Sequence, residues 1–356
     1  MKFVIATGGT GGHLFPALMV SAELERRGHD VLYLGSFAQS WKQLHNSGFV
    51  FEEVGARGFT SKSFKEKIVA SAAMMKAILI SFRLLKKIKP HAVLGFGGYG
   101  AFPVVLSAVF LRYPVLIHEQ NVVPGRANAI LANFVDRIAI SFQKGSRYFN
   151  PRKTVLTGCP CHLPKGDADR TAILNEFRLK EGKRTILVVG GSQGSQRINT
   201  VFMETAGVLK EKLDFQVIHI SGRQDYLKLQ GQYNLLGIPF ALFDFLDKME
   251  EAYHISDLVI SRSGAVTVSE IAVFRIPAIF IPYPYAHGHQ RENAAVLCEE
   301  HIARLIEDKE LSASKLAETV YSMLADRDLN RMNKEICFPD AVGKLAEEAV
   351  CLAERK

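Results

Sequence analysis

Short runs of β-branched and other apolar residues lie near 2–7, 30–35, 91–96, 113–118 and 137–141. Stretches with apolar residues at helical spacing fall between them, near 14–27, 66–89, 101–111 and 125–134. The alternation then restarts. TILVVG (185–190), FQVIHIS (215–221), FALFDF (240–245), DLVIS (257–261) and PAIFIPY (277–283) read as strands, again with helical segments between them. Several runs are almost wholly apolar, as suits parallel strands covered on both faces. Two successive β-α series predict an α/β chain of two doubly wound, Rossmann-like parallel-sheet domains. The join is expected in GCPCHLPKGDAD (158–169), rich in Pro, Gly and polar residues, which sets domains of 1–160 and 161–338. A last helix over 340–355 is expected to cross back onto the first domain.

The polar interruptions carry the candidate chemistry. GGTGGH (8–13), GFGGYG (95–100) and GGSQGS (190–195) each follow an apolar run and open a helix. Glycine lets backbone N–H groups approach a ligand closely, and a helix N-terminus favours negative charge. A tight strand-to-helix turn without any ligand explains each loop singly. GGTGGH lacks the third glycine of a dinucleotide fingerprint and the lysine of a Walker loop. GFGGYG has the G-x-G-x-x-G spacing through Gly95, Gly97 and Gly100, but no acidic residue stands about 20 positions on, so NAD is poorly supported. Three such loops at strand ends fit a large phosphorylated ligand pair held between two domains better.

Length and composition narrow the class. At 356 residues, 48% hydrophobic and 22% charged, the chain is expected to be globular with more than one core. Its formal net charge of +8 favours anionic partners such as phosphates or an acidic membrane surface. No zinc finger, RNP signature or basic zipper is present, so nucleic acid is not an expected partner. Five cysteines, odd in number and mostly isolated, fit a reducing compartment, and Cys159-x-Cys161 has no second pair to complete a metal site. A chain that starts directly on a strand is expected to carry no signal peptide, and with no run of 18 uncharged apolar residues no membrane span is expected.

Further polar clusters follow other strands. HEQN (118–121) ends one, and SRSGAVTVSE (261–270) ends another and starts a helix with Glu270 in its first turns. A carboxylate there can accept from a ribose diol, or simply answer the helix dipole. In HGHQRENAA (287–295), Gln290 and Asn293 are three apart and can face one way, with the donor and acceptor groups that sugar hydroxyls need.

Taken together, GGTGGH, GFGGYG, HEQN, GGSQGS, SRSGAVTVSE and HQRENA resemble, in order and spacing, the bacterial UDP-N-acetylglucosamine transferases of peptidoglycan synthesis. The resemblance runs from Lys2 to about Leu345. It implies the GT-B fold, two Rossmann-like domains facing a cleft, and conversion of lipid I to lipid II. The substrates would be UDP-GlcNAc and undecaprenyl-pyrophosphoryl-MurNAc-pentapeptide, on the cytoplasmic face of the plasma membrane. By the same resemblance Ser192 would touch the diphosphate, and Ala265, Val266, Thr267, Val268, Ser269 and Glu270 would line the nucleotide, with Glu270 on the ribose. Leu246 would meet the uracil, and Gln290 the sugar hydroxyls. Thr10, Gly11, Gly12 and Asn121 would approach the donor sugar and the acceptor. The family commonly has an arginine after G-N-P-V at the join. Here GCPCH puts His162 in that place, a weaker and pH-dependent cation for any diphosphate contact.

The reaction needs one base for the MurNAc 4-hydroxyl. His13 is the first candidate, because a helix N-terminus disfavours a positive side chain and a neutral imidazole can take a proton. Glu119 is the second. A His13 that only caps the helix is the plain alternative. No metal or other cofactor is expected. The Asp-x-Asp strings 167–169 and 326–328 sit in linker-like or surface sequence, and a helix N-terminus can stabilise the leaving diphosphate without one. For the lipid acceptor, the segment 65–90 offers Ile78, Leu79, Phe82 and Leu85 at helical spacing, flanked by Lys86 and six other bases. That stripe suits an anionic membrane surface, or an ordinary core-facing helix. Another GT-B enzyme, such as a UDP-GlcNAc 2-epimerase, and a non-catalytic UDP-sugar-binding protein remain the alternatives.

Overall fold

The computed structural model describes the chain apart from residues 9–10, 38–40, 57–63, 165, 167, 192–193, 287, 327–337, 339 and 356, and apart from the side chains of 41–43 and 64–67. The chain divides into two compact units, Met1–Cys161 with Asp340–Lys356, and His162–Pro339.

The first unit is built on a seven-stranded parallel sheet. Its strands are β1 (Lys2–Gly8), β2 (Asp30–Ser36), β3 (Val50–Glu53), β4 (Ala92–Gly95), β5 (Val115–Glu119), β6 (Arg137–Ile140) and β7 (Thr154–Leu156), in the order β3-β2-β1-β4-β5-β6-β7. The order reverses between β1 and β4, which pair in parallel from Phe3 opposite Ala92 to Ala6 opposite Gly95. Open α/β sheets bind ligands beyond the carboxyl ends of the strands flanking such a reversal. GGTGGH leaves β1 and GFGGYG leaves β4, so both glycine loops fall at that point.

Both sheet faces are covered, as the apolar strands require. On one face the helices Gly11–Arg26 and Ala341–Glu354 close a core of Phe3, Ile5, Leu14, Leu24, Leu116, Leu345 and Ala349. On the other, the helices Phe64–Ile88 and Gly98–Phe110 pack over Val4, Val93, Val105, Ile117 and Ile138. The C-terminal helix is held to the first unit at its rim as well: Arg137 reaches Glu348 at 3.3 Å, and Arg27 donates to the Gly343 carbonyl.

The second unit repeats the plan with six parallel strands, β8 (Arg184–Val189), β9 (Phe215–Ile220), β10 (Phe240–Phe243), β11 (Leu258–Ser261), β12 (Ala278–Phe280) and β13 (Ala303–Leu305), in the order β10-β9-β8-β11-β12-β13. Here the reversal lies between β8 and β11. GGSQGS leaves the first of these strands and SRSG the second. The short strands β3, β7 and β13 are additions to the sequence expectation. They are three or four residues long, and β3 is mostly exposed, so none carries the long apolar run that marks a central strand.

Candidate active site residues in the two units

In the first unit the site is built around His13, the third residue of the helix Gly11–Arg26. Its Nδ1 lies 3.2 Å from Oε1 of Gln120, just beyond β5. The ring packs against the second glycine loop. Gly98 opens the helix Gly98–Phe110 with φ +78°. A Cβ there would collide with the Gly8 carbonyl oxygen and come within 3.3 Å of His13 Cδ2. The bare backbone of GFGGYG thus makes room for the imidazole and for the end of β1. The two glycine loops and HEQN are three parts of one arrangement.

Glu119 is the last residue of β5 and is 1% exposed. Its Oε1 accepts from the Asn121 backbone N–H (2.9 Å) and from Asn121 Nδ2 (3.1 Å). Its Oε2 accepts from the Gly125 N–H (3.0 Å) and from Asn128 Nδ2 (2.9 Å). Four N–H donors occupy the carboxylate, so its geometry is that of an anchor for the 119–128 turn rather than of a group waiting for a substrate proton. Asn121 is half-buried and tied to that anchor, while Gly11 is half-exposed and Gly12 exposed at the helix start. Thr10 lies outside the described residues.

In the second unit Glu270, in the helix Ala265–Phe274, is 5% exposed and doubly held. His162 Nδ1 is 2.6 Å from its Oε1, and the Tyr253 hydroxyl donates to its Oε2 at 2.9 Å. His162 therefore meets the candidate ribose carboxylate rather than standing apart as a cation. Along the same helix Ala265, Val268 and Ser269 point inward, and Val266 and Thr267 are half-exposed. Leu246 is half-buried in the loop after β10.

Ser192 lies outside the described residues, but the loop that carries it ends in a well-defined cap. Ser195 caps the helix Gln196–Leu209 and accepts from Arg262 Nη2 at 3.0 Å. Arg262 also donates to the carbonyls of Ile281 and Pro282 and to Asp308 Oδ1 at 2.6 Å, and its guanidinium lies 5.5 Å from the Tyr283 ring centroid. One side chain thus binds the start of the helix Gln196–Leu209 to the ends of β11 and β12. Gln290 Oε1 accepts from the Tyr283 N–H at 2.8 Å, which leaves its amide nitrogen as the end suited to donate to a sugar oxygen. Asn293 does not share that outlook. It is wholly buried, and its Nδ2 donates to the Ser263 carbonyl at 3.3 Å. The sequence shows Ser195, Arg262 and Gln120 only as members of GGSQGS, SRSGAVTVSE and HEQN, and Tyr253 in no motif, because the partners that define them lie 17, 67 and 107 residues away.

The helix Phe64–Ile88 corrects part of the membrane expectation. Leu85 is fully buried in the first-unit core, and Ile78 packs against the same core. Leu79 is 54% exposed, and Phe82 is half-buried with Lys86 Nζ 4.9 Å from its ring centroid. The apolar residues that do face outward are Ile68, Val69, Met75 and Leu79, each more than half exposed, beside exposed Lys76, Arg83, Lys86 and Lys87. A helical wheel run from Met75 through Leu79 to Lys86 would have separated this stripe from the Ile78–Leu85 row. By length and composition Ile68–Ile88 is apolar enough to cross a membrane, contrary to the sequence expectation. Its Met74, Ala77, Ser81 and Leu85 row is nevertheless buried, as in a helix that lies on a domain.

Comparison with known proteins fits this geometry. Residues 3–140 match the glycosyltransferase family 28 N-terminal domain, and residues 185–347 the glycosyltransferase family 28 C-terminal domain. A protein of Thermodesulfovibrio yellowstonii named UDP-N-acetylglucosamine--N-acetylmuramyl-(pentapeptide) pyrophosphoryl-undecaprenol N-acetylglucosamine transferase is 34% identical, with 100% of both chains covered. One of the same name from Halothermothrix orenii is 36% identical over 92% of this chain and 91% of its own. The crystal structure of Acinetobacter baumannii MurG superposes with a TM-score of 0.77 at 28% identity, over 99% of this chain and 100% of that one. A UDP-GlcNAc 2-epimerase from Neisseria meningitidis shares the fold, with a TM-score of 0.71 over 99% of this chain and 100% of its own, but is only 12% identical. Fold alone therefore does not separate transferase from epimerase, whereas full-length identity does. With both domain models matched in chain order and named relatives similar from end to end, the chain belongs to glycosyltransferase family 28.

Proposed function

We propose that this chain transfers N-acetylglucosamine from UDP-GlcNAc to the MurNAc 4-hydroxyl of undecaprenyl-pyrophosphoryl-MurNAc-pentapeptide, with inversion, forming lipid II for peptidoglycan. The observation that carries this is the end-to-end similarity to transferases of that name, together with an imidazole set at a sheet reversal among glycine loops. His13 takes the proton of the attacking hydroxyl, and its half-exposed ring gives a substrate access to it. Glu119 and Asn121 shape the turn beside it, and Thr10, Gly11 and Gly12 offer backbone to the sugars. In the second unit the helix Gln196–Leu209 faces the diphosphate with its N-terminus, and Ser192 lies in the loop before it. That helix end offsets the charge that grows on UDP as it leaves. Glu270 accepts from the ribose diol, Leu246 meets the uracil, and Gln290 donates to the sugar.

The same reading holds that transfer proceeds without a divalent metal. Of the two Asp-x-Asp strings, Asp169 has its carboxylate engaged as the cap of the helix Arg170–Glu176, accepting from Thr171 and Ala172, and Asp326 ends the helix Ala313–Ala325. Neither stands at the carboxyl end of a strand. Labelled UDP-GlcNAc and a lipid I analogue, incubated with excess EDTA, are expected to yield labelled lipid II at the rate seen with magnesium. UDP-GlcNAc turnover without the lipid would instead favour the epimerase alternative. Loss of transfer in EDTA, restored by magnesium or manganese, would remove the metal-free reading.

The exposed face of the helix Phe64–Ile88 brings the enzyme to the cytoplasmic surface of the plasma membrane. Each base near an anionic surface contributes about 1 kcal/mol, and each large apolar side chain about 1.5–3 kcal/mol when buried. Met75→Glu combined with Leu79→Glu is expected to lower co-sedimentation with anionic phospholipid vesicles at least about tenfold, since it removes apolar contact and adds repulsion. Undiminished binding of the double variant would show that another surface meets the lipid.

A further inference from the structure

Beyond β5, His13, Gln120 and His118 form a chain of side chains that ends on two backbone carbonyls. Gln120 is 2% exposed and His118 is fully buried. Gln120 Nε2 lies 2.9 Å from the Phe96 carbonyl oxygen and 3.3 Å from His118 Nδ1. His118 Nε2 lies 3.1 Å from the Gly158 carbonyl oxygen. Ser141 Oγ, 3.3 Å from the same Nε2, donates to the Glu119 carbonyl and so is able to accept there.

The direction of every proton in this chain follows from its ends. A carbonyl oxygen only accepts. The atom of Gln120 against Phe96 must therefore be the amide nitrogen, whichever way the amide is first drawn. The Gln120 oxygen then faces His13, and His13 Nδ1 must carry the proton it donates. At the other end, His118 must carry its proton on Nε2 to donate to Gly158. Burial keeps His118 neutral, with its pKa pushed down to about 4, so its Nδ1 holds a lone pair and accepts from Gln120. The three groups are mutually consistent in one arrangement only.

We infer that Gln120, oriented by Phe96 and His118, is a positioning residue that fixes His13 in the Nδ1–H tautomer and leaves the Nε2 lone pair for the substrate proton. The inference rests on the proposed role of His13 as base. An imidazole in solution prefers its proton on Nε2, which would put an N–H where the attacking hydroxyl has to be deprotonated. The second-motif glycine, Gly98, holds the ring close from the side, and Gln120 sets which nitrogen is basic. This explains why a neutral amide rather than a carboxylate stands next to the imidazole: it can accept from one partner while donating to two others.

The test reads the tautomer directly. The chain, labelled with ¹⁵N-histidine, is examined by ¹⁵N NMR at about pH 8.5, well above the ordinary histidine range; the His13 signals are assigned by their loss in His13→Gln. In the wild type, Nδ1 is expected to carry the pyrrole-type shift and Nε2 the pyridine-type shift. Gln120→Met, similar in size but without an acceptor, is expected to move the proton to Nε2. It should also lower kcat on the order of 10- to 100-fold, by analogy with the partners that orient metal-bound imidazoles, with the UDP-GlcNAc KM unchanged. Gln120→Glu restores the acceptor toward His13 but not the donors to the Phe96 carbonyl and His118, so it should keep the Nδ1–H form and recover only part of the kcat. A wild-type His13 protonated on Nε2 overturns the inference without need of any variant. So does a Gln120→Met protein whose tautomer is unchanged, which would reduce Gln120 to packing. A proton that moves to Nε2 in Gln120→Met with kcat intact would uphold the tautomer inference and instead sink the proposal that His13 is the base.

Discussion

His13→Ala is expected to lower turnover on the order of 100- to 10,000-fold, the usual cost of losing a general base, with the KM for UDP-GlcNAc nearly unchanged. A group that acts on the proton in flight contributes mainly in the transition state. The half-exposed ring, its hydrogen bond from Nδ1 to Gln120 and its seat against Gly98 all suit that role. Steady-state kinetics with varied donor and varied lipid acceptor separate the two constants. Near-normal turnover with weakened substrate binding would mean that His13 only binds or caps. Glu119 would then be the remaining candidate. To take a proton it would first have to release one of the four N–H donors that now hold it.

Glu270→Ala should act on the other substrate. A hydrogen bond to a charged group is worth about 1.5–3 kcal/mol, so losing the ribose contact is expected to raise the donor KM about 10- to 150-fold. Binding to anionic vesicles should stay unchanged. The same carboxylate also accepts from Tyr253 and meets His162. Alanine therefore strands the buried Tyr253 hydroxyl, and the variant should melt earlier than the parent. Glu270→Gln keeps an acceptor for Tyr253 and is the cleaner probe of the ribose. If isothermal titration of UDP finds both variants binding as tightly as the parent, Glu270 serves the fold and not the nucleotide.

Much of this architecture was open to reading before any coordinates. Near-continuous apolar runs such as ILVV at 186–189 belong to strands buried on both faces, and the glycine loops mark where those strands stop. What escaped was of two kinds. The edge strands Val50–Glu53 and Ala303–Leu305 are short and partly exposed, so neither leaves an apolar signature. The contacts that build the sites are long-range: Gln120 lies 107 positions from His13, and His162 lies 108 from Glu270. Periodicity reports which way a side chain faces, not which distant chain segment it meets. It also misleads on the helix Phe64–Ile88, where helical spacing groups Leu79 with Leu85 although one is exposed and the other buried.

The return of the C-terminal helix to the first sheet bears on how the protein is made. Phe3, Ile5 and Leu116 are covered in part by Leu345, Ala346 and Ala349, yet the whole of His162–Pro339 is synthesised in between. At roughly 5–20 residues per second, that interval lasts about 10–40 s. During it the first domain has every strand of its sheet but lacks one of the helices that close it. Each newly made chain thus passes through a stage with an open apolar face, which closes once the helix Ala341–Glu354 has left the ribosome.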